Sequence, residues 1–420
     1  MTNLEYRLDY EVAKLSNGLK VSYRQLDTPD VVFTTRVNEG SIHEPEGKRG
    51  ILHLIEHLFY RTTDGSNLKR TLFEITGRDV PDAHTHPEQM VFSARMPYQD
   101  FTGFLNVWSD AVKRTEYSDE GFQTEKKIVL SEIAPEEIEG NILHYSLGLR
   151  RNNLYPNHIL GLTPSGSTDE VSRLTPKDID EYKRERINAS NITLTAVGGF
   201  DKTNLIDQLE HYFGNIPSGQ KNKILQSNVP VPISLEEQKR FPGVPYQTLN
   251  MMFQTPGMME EDTVFLFIMR EYLAGGLSAR LTNVLREKEG MVYSVSMHSG
   301  TELMNPDIWS IIVQRFDEDN YNKLVSLIKN ELDRLKEGEI DQELLRINKQ
   351  SYLKKFWQNN LQGLGSQTEN IDLREGKGIP YSLERIVEIW DEVTEKDISR
   401  VAQRVFNGNY VTIGVYPASS

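Results

Sequence analysis

The chain has 420 residues, a length that predicts two or more domains. It contains no cysteine, which excludes disulfides, thiolate nucleophiles and thiolate metal ligands. Its formal net charge of −14 argues against nucleic acid as a partner, because no broad basic surface is available. The first residues lack the apolar core of a signal peptide, and no apolar run is long enough to span a bilayer. We therefore expect a cytoplasmic protein without membrane contact.

Strand and helix patterns alternate along the first half of the chain. Asn17 and Gly18 form a turn signal between two periodic runs, which predicts a β-hairpin. The β-branched residues 31–37 predict the next strand. Apolar side chains recur at helical spacing over residues 50–62 and predict a core-facing helix. The remaining predicted elements are a strand over residues 90–96 and helices over residues 101–112 and 121–133.

The second half of the chain repeats signals of the first. Residues 174–179 resemble residues 393–398, and each segment leads into a short predicted helix followed by a strand that an Asn opens. Turn-forming residues with little periodicity occupy residues 216–240, which predicts a linker there. The sequence thus predicts a duplicated fold, with one domain over residues 1–215 and a similar domain over residues 241–420.

Two histidines on the predicted helix have the spacing of metal ligands. His53 and His57 are four residues apart, so their side chains lie on one face of the helix. Zinc favours imidazole nitrogens and is held in catalytic sites by three protein groups. Glu56 lies beside His57 and could take a proton from a catalytic water. The alternative is a structural role, with two helix histidines and a surface glutamate linked by hydrogen bonds.

The third ligand has to come from elsewhere in the chain. Glu125 and Glu132 are seven residues apart on a predicted helix, so both lie on one of its faces. Either carboxylate could face the histidine pair, and the other could orient a ligating imidazole.

The motif residues and their lead-in resemble the pitrilysin family of zinc peptidases, which includes insulin-degrading enzyme and the mitochondrial processing peptidase. Residues 40–45 and 50–58 are similar to the family's lead-in and its inverted His-x-x-Glu-His motif. The resemblance implies one zinc ion per chain, with the ligands His53, His57 and Glu132. It further implies Glu56 as the general base and Glu125 as a supporting acidic residue.

A second resemblance lies in the second half. Residues 275–281 and 285–294 are similar to the signature of the family's second domain, in which an Arg and a Tyr contact substrate and stabilise the oxyanion. These two residues correspond to Arg286 and Tyr293. The local pattern predicts a helix over residues 278–289 followed by a strand that carries Tyr293. The alternative is a surface ion pair for Arg286 and a packed ring for Tyr293.

Residues Asp82, Ala83, His84 and Thr85 fall where the family has an edge strand that pairs with bound peptide. Asp82 replaces the family's usual Asn, so we expect the pairing mode with an altered preference. His84 and His86 share one face of this strand, and we expect surface imidazoles there rather than a second metal site.

The resemblance implies an α+β fold of two similar domains, each a mainly antiparallel sheet with helices packed on one face. It implies a zinc-dependent endopeptidase that hydrolyses short or unfolded peptides inside a closed dimeric chamber. The dimer would be a homodimer or would pair this chain with a homologous one. Two alternatives are a non-catalytic scaffold subunit and a maturation protease for one dedicated peptide.

Overall fold

Two sheets, one from each half of the chain, organise the protein. The computed structural model describes residues 7–64, 67–77, 82–138, 152, 154–222, 229, 234–299, 304 and 306–418. The first sheet has the order β1-β2-β6-β3-β5-β4, and only its β2–β6 pair is parallel. Its strands are β1 (Glu11–Lys14), β2 (Lys20–Gln25), β3 (Asp30–Val37), β4 (Asp82–Thr85), β5 (Met90–Pro97) and β6 (Ile192–Gly198).

The second sheet repeats the arrangement of the first. Its order is β7-β11-β8-β10-β9, and only its β7–β11 pair is parallel. Its strands are β7 (Leu235–Phe241), β8 (Thr248–Thr255), β9 (Val292–Ser299), β10 (Asp307–Phe316) and β11 (Tyr410–Pro417). Strands β7 to β11 therefore occupy, in chain order, the places that β2 to β6 occupy in the first sheet.

Apart from α12, helices of each half pack on the sheet of that half. Those of the first half are α1 (Ile51–Leu58), α2 (Leu68–Thr76), α3 (Phe101–Lys113), α4 (Asp119–Ile138), α5 (Thr168–Arg173), α6 (Pro176–Arg186) and α7 (Lys202–Phe213). Those of the second half are α8 (Asp262–Ala274), α9 (Arg280–Thr282), α10 (Tyr321–Glu337), α11 (Gln342–Leu361), α12 (Leu364–Asp372), α13 (Leu383–Glu392) and α14 (Glu395–Val405). The predicted α+β fold, with two similar and mainly antiparallel halves, is confirmed.

The repeated sequence signals correspond to repeated helix starts. Thr175 caps α6 and Thr394 caps α14, and in both cases the Asp three residues later completes a capping box. Strand β6 follows the first of these helices and β11 follows the second. A Thr–Asp capping box therefore begins the helix that precedes the last strand, in chain order, of each sheet, which agrees with a duplicated fold.

The second face of each sheet is covered in part by the other half. Helix α12 of the second half packs on β3 and β6 of the first sheet. In return, a segment of the first half packs on the second sheet through Leu154, Tyr155 and Leu160. Residues of β11 alternate between the two faces, so Val411, Ile413 and Val415 meet this segment while Tyr416 joins the core formed with the helices. Helices of the same half thus account for only one side of each sheet.

An ion pair is buried where α12 meets the first sheet. The Arg36 guanidinium on β3 donates to the Asp372 carboxylate through Nε, at 2.7 Å, and through Nη2. Thr195 donates to the other carboxylate oxygen at 3.4 Å, and Gln89 accepts from Arg36. Both charged side chains are almost inaccessible, with exposures of 3% and 2%. The contact between the halves is therefore polar and directional as well as apolar.

Element boundaries differ from the sequence predictions at several places, of which two bear on the site and the linker. Helix α1 ends at Leu58, four residues before the predicted end, because the chain turns there and Arg61 forms a bridge with Asn67. Strand β7 begins at Leu235, inside the predicted linker over residues 216–240. Among the described helices, none combines the length and the apolar character needed to cross a membrane.

Candidate metal centre

Helix α1 carries the two motif histidines at the border of the first core. Its buried face consists of Ile51, Leu52, Leu54, Ile55 and Leu58. His53 and His57 lie on the remaining face, and each side chain is 17% exposed. The apolar residues fix the rotation of the helix by burial, and the histidines are thereby aimed at α4, against which α1 packs.

The start of α1 is held by a carboxylate that comes from the lead-in segment. Gly50 precedes the helix with φ of 84°, a left-handed conformation, and has no side chain to cap it. Glu44 accepts hydrogen bonds from the backbone amides of Gly50, at 2.9 Å, and Leu52, at 2.8 Å. Burial raises the pKa of Glu44 to about 8, although these backbone hydrogen bonds oppose the shift. In the sequence, Glu44 is distinguished only by its place in the lead-in segment over residues 40–45.

His53, His57 and Glu132 converge on one point. One ligand atom from each lies within 4.8 Å of the others. The Glu132 Oε2 atom is 3.7 Å from His53 Nε2 and 3.3 Å from His57 Nε2, and the two imidazole rings are nearly perpendicular at 87°. Two imidazole nitrogens and one carboxylate oxygen form a donor set that suits a divalent transition metal. These three side chains therefore could hold a metal ion.

The two candidate carboxylates of α4 both reach His57, at different nitrogens. While Glu132 faces Nε2, Glu125 lies 3.3 Å from Nδ1. Glu125 also accepts from Arg61 Nε at 2.7 Å and is almost fully buried. Burial opposes ionisation of Glu125, but hydrogen bonds from His57 and Arg61 outweigh it and lower the pKa of this carboxyl. A proton on His57 Nδ1 therefore has a fixed acceptor, which leaves Nε2 as the nitrogen directed at the metal position.

Arg61 was not identified from the sequence. It lies four residues after His57 and inside the helix predicted over residues 50–62, although the observed α1 ends before it at Leu58. In the structure Arg61 neutralises the charge of Glu125. A carboxylate as buried as Glu125 requires a cation or several hydrogen-bond donors.

Glu56 lies between the metal group and strand β4. Thr85 on this strand donates its hydroxyl hydrogen to Glu56 Oε2. Burial raises the pKa of the Glu56 carboxyl, which the Thr85 hydrogen bond and the nearby imidazoles partly counteract. A half-buried carboxylate with a raised pKa next to a metal position is suited to exchange protons with a water molecule. The side chain of Thr85, on the strand expected to pair with peptide, thus contacts Glu56.

Strand β4 is the outermost strand of the first sheet on its side. It pairs with β5 from Asp82↔Ser93 to Thr85↔Met90 and lies beside α1. The predicted edge position of Asp82, Ala83, His84 and Thr85 is thus observed. The rings of His84 and His86 are 6.0 Å apart. Among the described residues, the metal-compatible group consists of His53, His57 and Glu132 and does not include this pair.

Arg286 and Tyr293 form a separate pair in the second half. The Arg286 guanidinium lies 5.7 Å from the centre of the Tyr293 ring, which is 60% exposed on β9. The predicted helix over residues 278–289 is observed as α9 followed by a π-helix over Asn283–Lys288, so the last turns are wider than predicted. Within the described chain, neither residue has a hydrogen bond, an ion pair or a ring contact with the metal group.

Comparisons with known proteins agree with this arrangement. An uncharacterized zinc protease of Rickettsia felis is 24% identical over 95% of both chains. The mitochondrial-processing peptidase subunit beta of Blastocladiella emersonii is 22% identical over 97% of this chain and 88% of its own. In fold, the crystal structure of a protease from Helicobacter pylori superposes with a TM-score of 0.85 and 20% identity, covering 97% of this chain and 99% of the other.

Both halves match domains of one peptidase family. Residues 21–157 match the family described as Insulinase (Peptidase family M16), and residues 173–352 match the domain described as Peptidase M16 inactive domain. The first match contains α1 with its His-x-x-Glu-His motif and also α4, and the second contains Arg286 and Tyr293. This protein therefore belongs to the insulinase family of peptidases, family M16.

Proposed function

We propose that this protein is a zinc-dependent endopeptidase that hydrolyses short or unfolded peptides. The observation that carries the proposal is the convergence of His53, His57 and Glu132 on one point, with Glu56 close enough to interact electrostatically with His57 and Glu132. The zinc protease among the relatives supports zinc as the metal. Bound zinc supplies a Lewis acid that polarises the scissile carbonyl and lowers the pKa of a water molecule.

The chain's own residues supply the proton transfers. Glu56 would accept the proton of the attacking water and return it to the leaving amine. Burial raises the pKa of this carboxyl, which favours proton uptake, and the Thr85 hydroxyl holds the carboxylate in place. Glu125 acts through His57, because its hydrogen bond to Nδ1 fixes the ring orientation.

Arg286 and Tyr293 are proposed to stabilise the oxyanion. A guanidinium and a phenol can both donate hydrogen bonds to a developing negative charge. The pair belongs to the second half, whose domain we propose to span residues 241–420, whereas the metal group belongs to the first. We therefore propose a dimer in which the pair of one chain completes the metal centre of the other, with a second copy of this chain as the simplest partner.

Peptide would bind along strand β4. An edge strand offers unpaired backbone amides and carbonyls, which add an extended peptide by main-chain pairing. The strand lies beside α1 and the side chain of its Thr85 contacts Glu56, so a peptide paired with the backbone of Asp82, Ala83, His84 and Thr85 would run past the general base.

Cleavage of an unstructured peptide mixture, followed by mass spectrometry, tests the proposed reaction. We expect internal cuts from the zinc-loaded protein and none after chelation. Glu56→Gln is expected to keep the metal but to lose at least about a hundredfold in turnover, whereas His57→Ala loses both metal and turnover. Normal turnover by Glu56→Gln would refute the mechanism.

Mixing two inactive variants tests the shared site. We expect Glu56→Gln and Tyr293→Phe homodimers each to have low activity, and subunit exchange between them to restore a fraction of it. In such a mixed dimer one site combines an intact Glu56 with an intact Tyr293 of the other chain. Full activity from a strict monomer in solution would contradict the shared-site arrangement.

A further inference from the structure

Arg315 on β10 has an unusual backbone conformation directly opposite Tyr293. Its φ is 55°, in the left-handed region that side chains other than glycine rarely occupy. The ladder between β10 and β9 pairs Gln314 with Ser294 and Phe316 with Val292 but skips Arg315. The pairs before and after it place Arg315 opposite Tyr293. The orientation of the Arg315 side chain therefore follows from a local irregularity in the pairing of β10 with β9.

The guanidinium of Arg315 lies over two tyrosine rings. Its central carbon lies 4.7 Å from the centre of the Tyr246 ring and 5.1 Å from that of Tyr293. Arg286 approaches the Tyr293 ring as well, at 5.7 Å. Two guanidiniums therefore lie over the ring of the exposed Tyr293. Cation–π interactions with the tyrosine rings stabilise these guanidiniums without neutralising their charge.

Both cations are open to an incoming anion. Arg286 and Arg315 are exposed, and among the described residues Arg315 forms no ion pair with an Asp or Glu. The acidic group nearest to Arg286 is Glu287, its neighbour in the chain, at 3.6 Å. In a chain with a net charge of −14, Arg315, which has no acidic partner among the described residues, and Arg286, whose acidic partner is its exposed neighbour Glu287, form a local positive site that favours anions.

We infer that Arg315 is a specificity-determining residue that, together with Arg286, binds a carboxylate of the peptide substrate. The inference rests on the proposed function, since it places the substrate carboxylate next to the proposed oxyanion pair. Guanidiniums bind carboxylates through parallel, charge-assisted hydrogen bonds. The carboxylate belongs either to an Asp or Glu side chain or to the carboxyl terminus of the peptide.

Matched peptides test the inference and separate these two sources. One series moves a Glu one position at a time along a cleaved peptide, each member with a Gln counterpart. A second pair differs only in a free or amidated carboxyl terminus. The kcat/KM values are compared for the wild type, Arg315→Gln, Arg315→Lys and Arg346→Gln, the last a control at an exposed arginine that pairs with Glu343 on α11.

We expect the wild type to prefer one carboxylate-bearing peptide over its neutral counterpart. Arg315→Gln should lower kcat/KM for that peptide by about tenfold and for the neutral one by less than about twofold, and Arg315→Lys should retain part of the preference. Arg346→Gln should change neither value. Equal losses on both peptides, or no preference in the wild type, would overturn the inference.

A binding measurement separates this inference from the proposed reaction. Fluorescence anisotropy with the Glu56→Gln protein reports the affinity for the same labelled peptides without turnover. If the double variant Glu56→Gln with Arg315→Gln binds the acidic peptide more weakly than Glu56→Gln alone, the carboxylate site is supported. An absence of hydrolysis by the wild type would refute only the proposed reaction. Equal binding of acidic and neutral peptides refutes the carboxylate site even if cleavage occurs.

Discussion

Removing the Asp372 carboxylate should weaken the contact between the two halves of the protein and lower the unfolding free energy. Asp372 ends α12 and is the carboxylate partner of Arg36 on the first sheet, where both side chains are nearly inaccessible. In Asp372→Ala the guanidinium stays buried with Gln89 as its remaining side-chain acceptor. A buried charge that loses its partner costs about 3–5 kcal/mol of unfolding free energy.

Replacing both members of the pair should recover most of the lost unfolding free energy. In the double variant Arg36→Met with Asp372→Leu, no charge remains to be desolvated, and apolar side chains fill a similar volume. Exchanges of this kind are neutral or stabilising, so we expect a stability within about 2 kcal/mol of the wild type. Glu343→Ala is the control, because its pair with Arg346 is exposed to solvent and should contribute little to stability.

Urea unfolding of the metal-free protein, followed by circular dichroism, measures these differences. Metal is removed because binding to the folded state would add its own stabilisation. A separate early transition in Asp372→Ala would show that the halves come apart before they unfold. The reasoning is refuted if Asp372→Ala costs no more than the Glu343→Ala control, or if the double variant is as unstable as the single one.

Three further predictions concern the neighbourhood of the metal centre and the first core. Glu125→Gln should weaken zinc binding by about tenfold to a hundredfold, measured by competition with a chromogenic chelator, because His57 loses its charged acceptor. Thr85→Val should lower kcat with an unchanged affinity for zinc, because the variant removes only the hydroxyl that holds Glu56. Burial lowers the pKa of Lys183 to about 7 from an ordinary 10.5, so the folded state favours the neutral amine. Burial of Lys183 therefore costs no protonation free energy above pH 10.5, and the protein loses stability as the pH falls from there to about 7. Lys183→Met should remove this pH dependence and raise the unfolding free energy at pH 7 by about 1–3 kcal/mol. Unfolding curves at pH 7 and pH 10 that shift in parallel for both proteins would contradict this.

Local periodicity was sufficient for the parts of the site that lie on one helix. The spacing of His53 and His57 fixes their common face, and the seven-residue spacing of Glu125 and Glu132 places both on one side of α4. The sequence could not decide between the two carboxylates, because that choice depends on the position of α4 along α1. The structure assigns each carboxylate to a different nitrogen of His57.

Contacts between distant parts of the chain could not be predicted in this way. Arg36 and Asp372 are 336 positions apart, and neither stands out in its local pattern. The hydrogen bond between Thr85 and Glu56 depends on the approach of β4 to α1, which single-sequence patterns do not contain. The positive φ of Arg315 follows from the local geometry of the second sheet, since arginine has no intrinsic preference for this conformation.

The exchange of covering segments between the halves has a consequence for how the duplication can evolve. The first sheet depends on α12 from the second half, and the second sheet depends on Leu154, Tyr155 and Leu160 from the first. Deleting either copy would leave the survivor with an uncovered apolar face, which favours aggregation. The same dependence predicts that two separately expressed fragments, each insoluble alone, would rescue one another when produced in the same cell. We therefore expect neither half to fold as a soluble protein without the other.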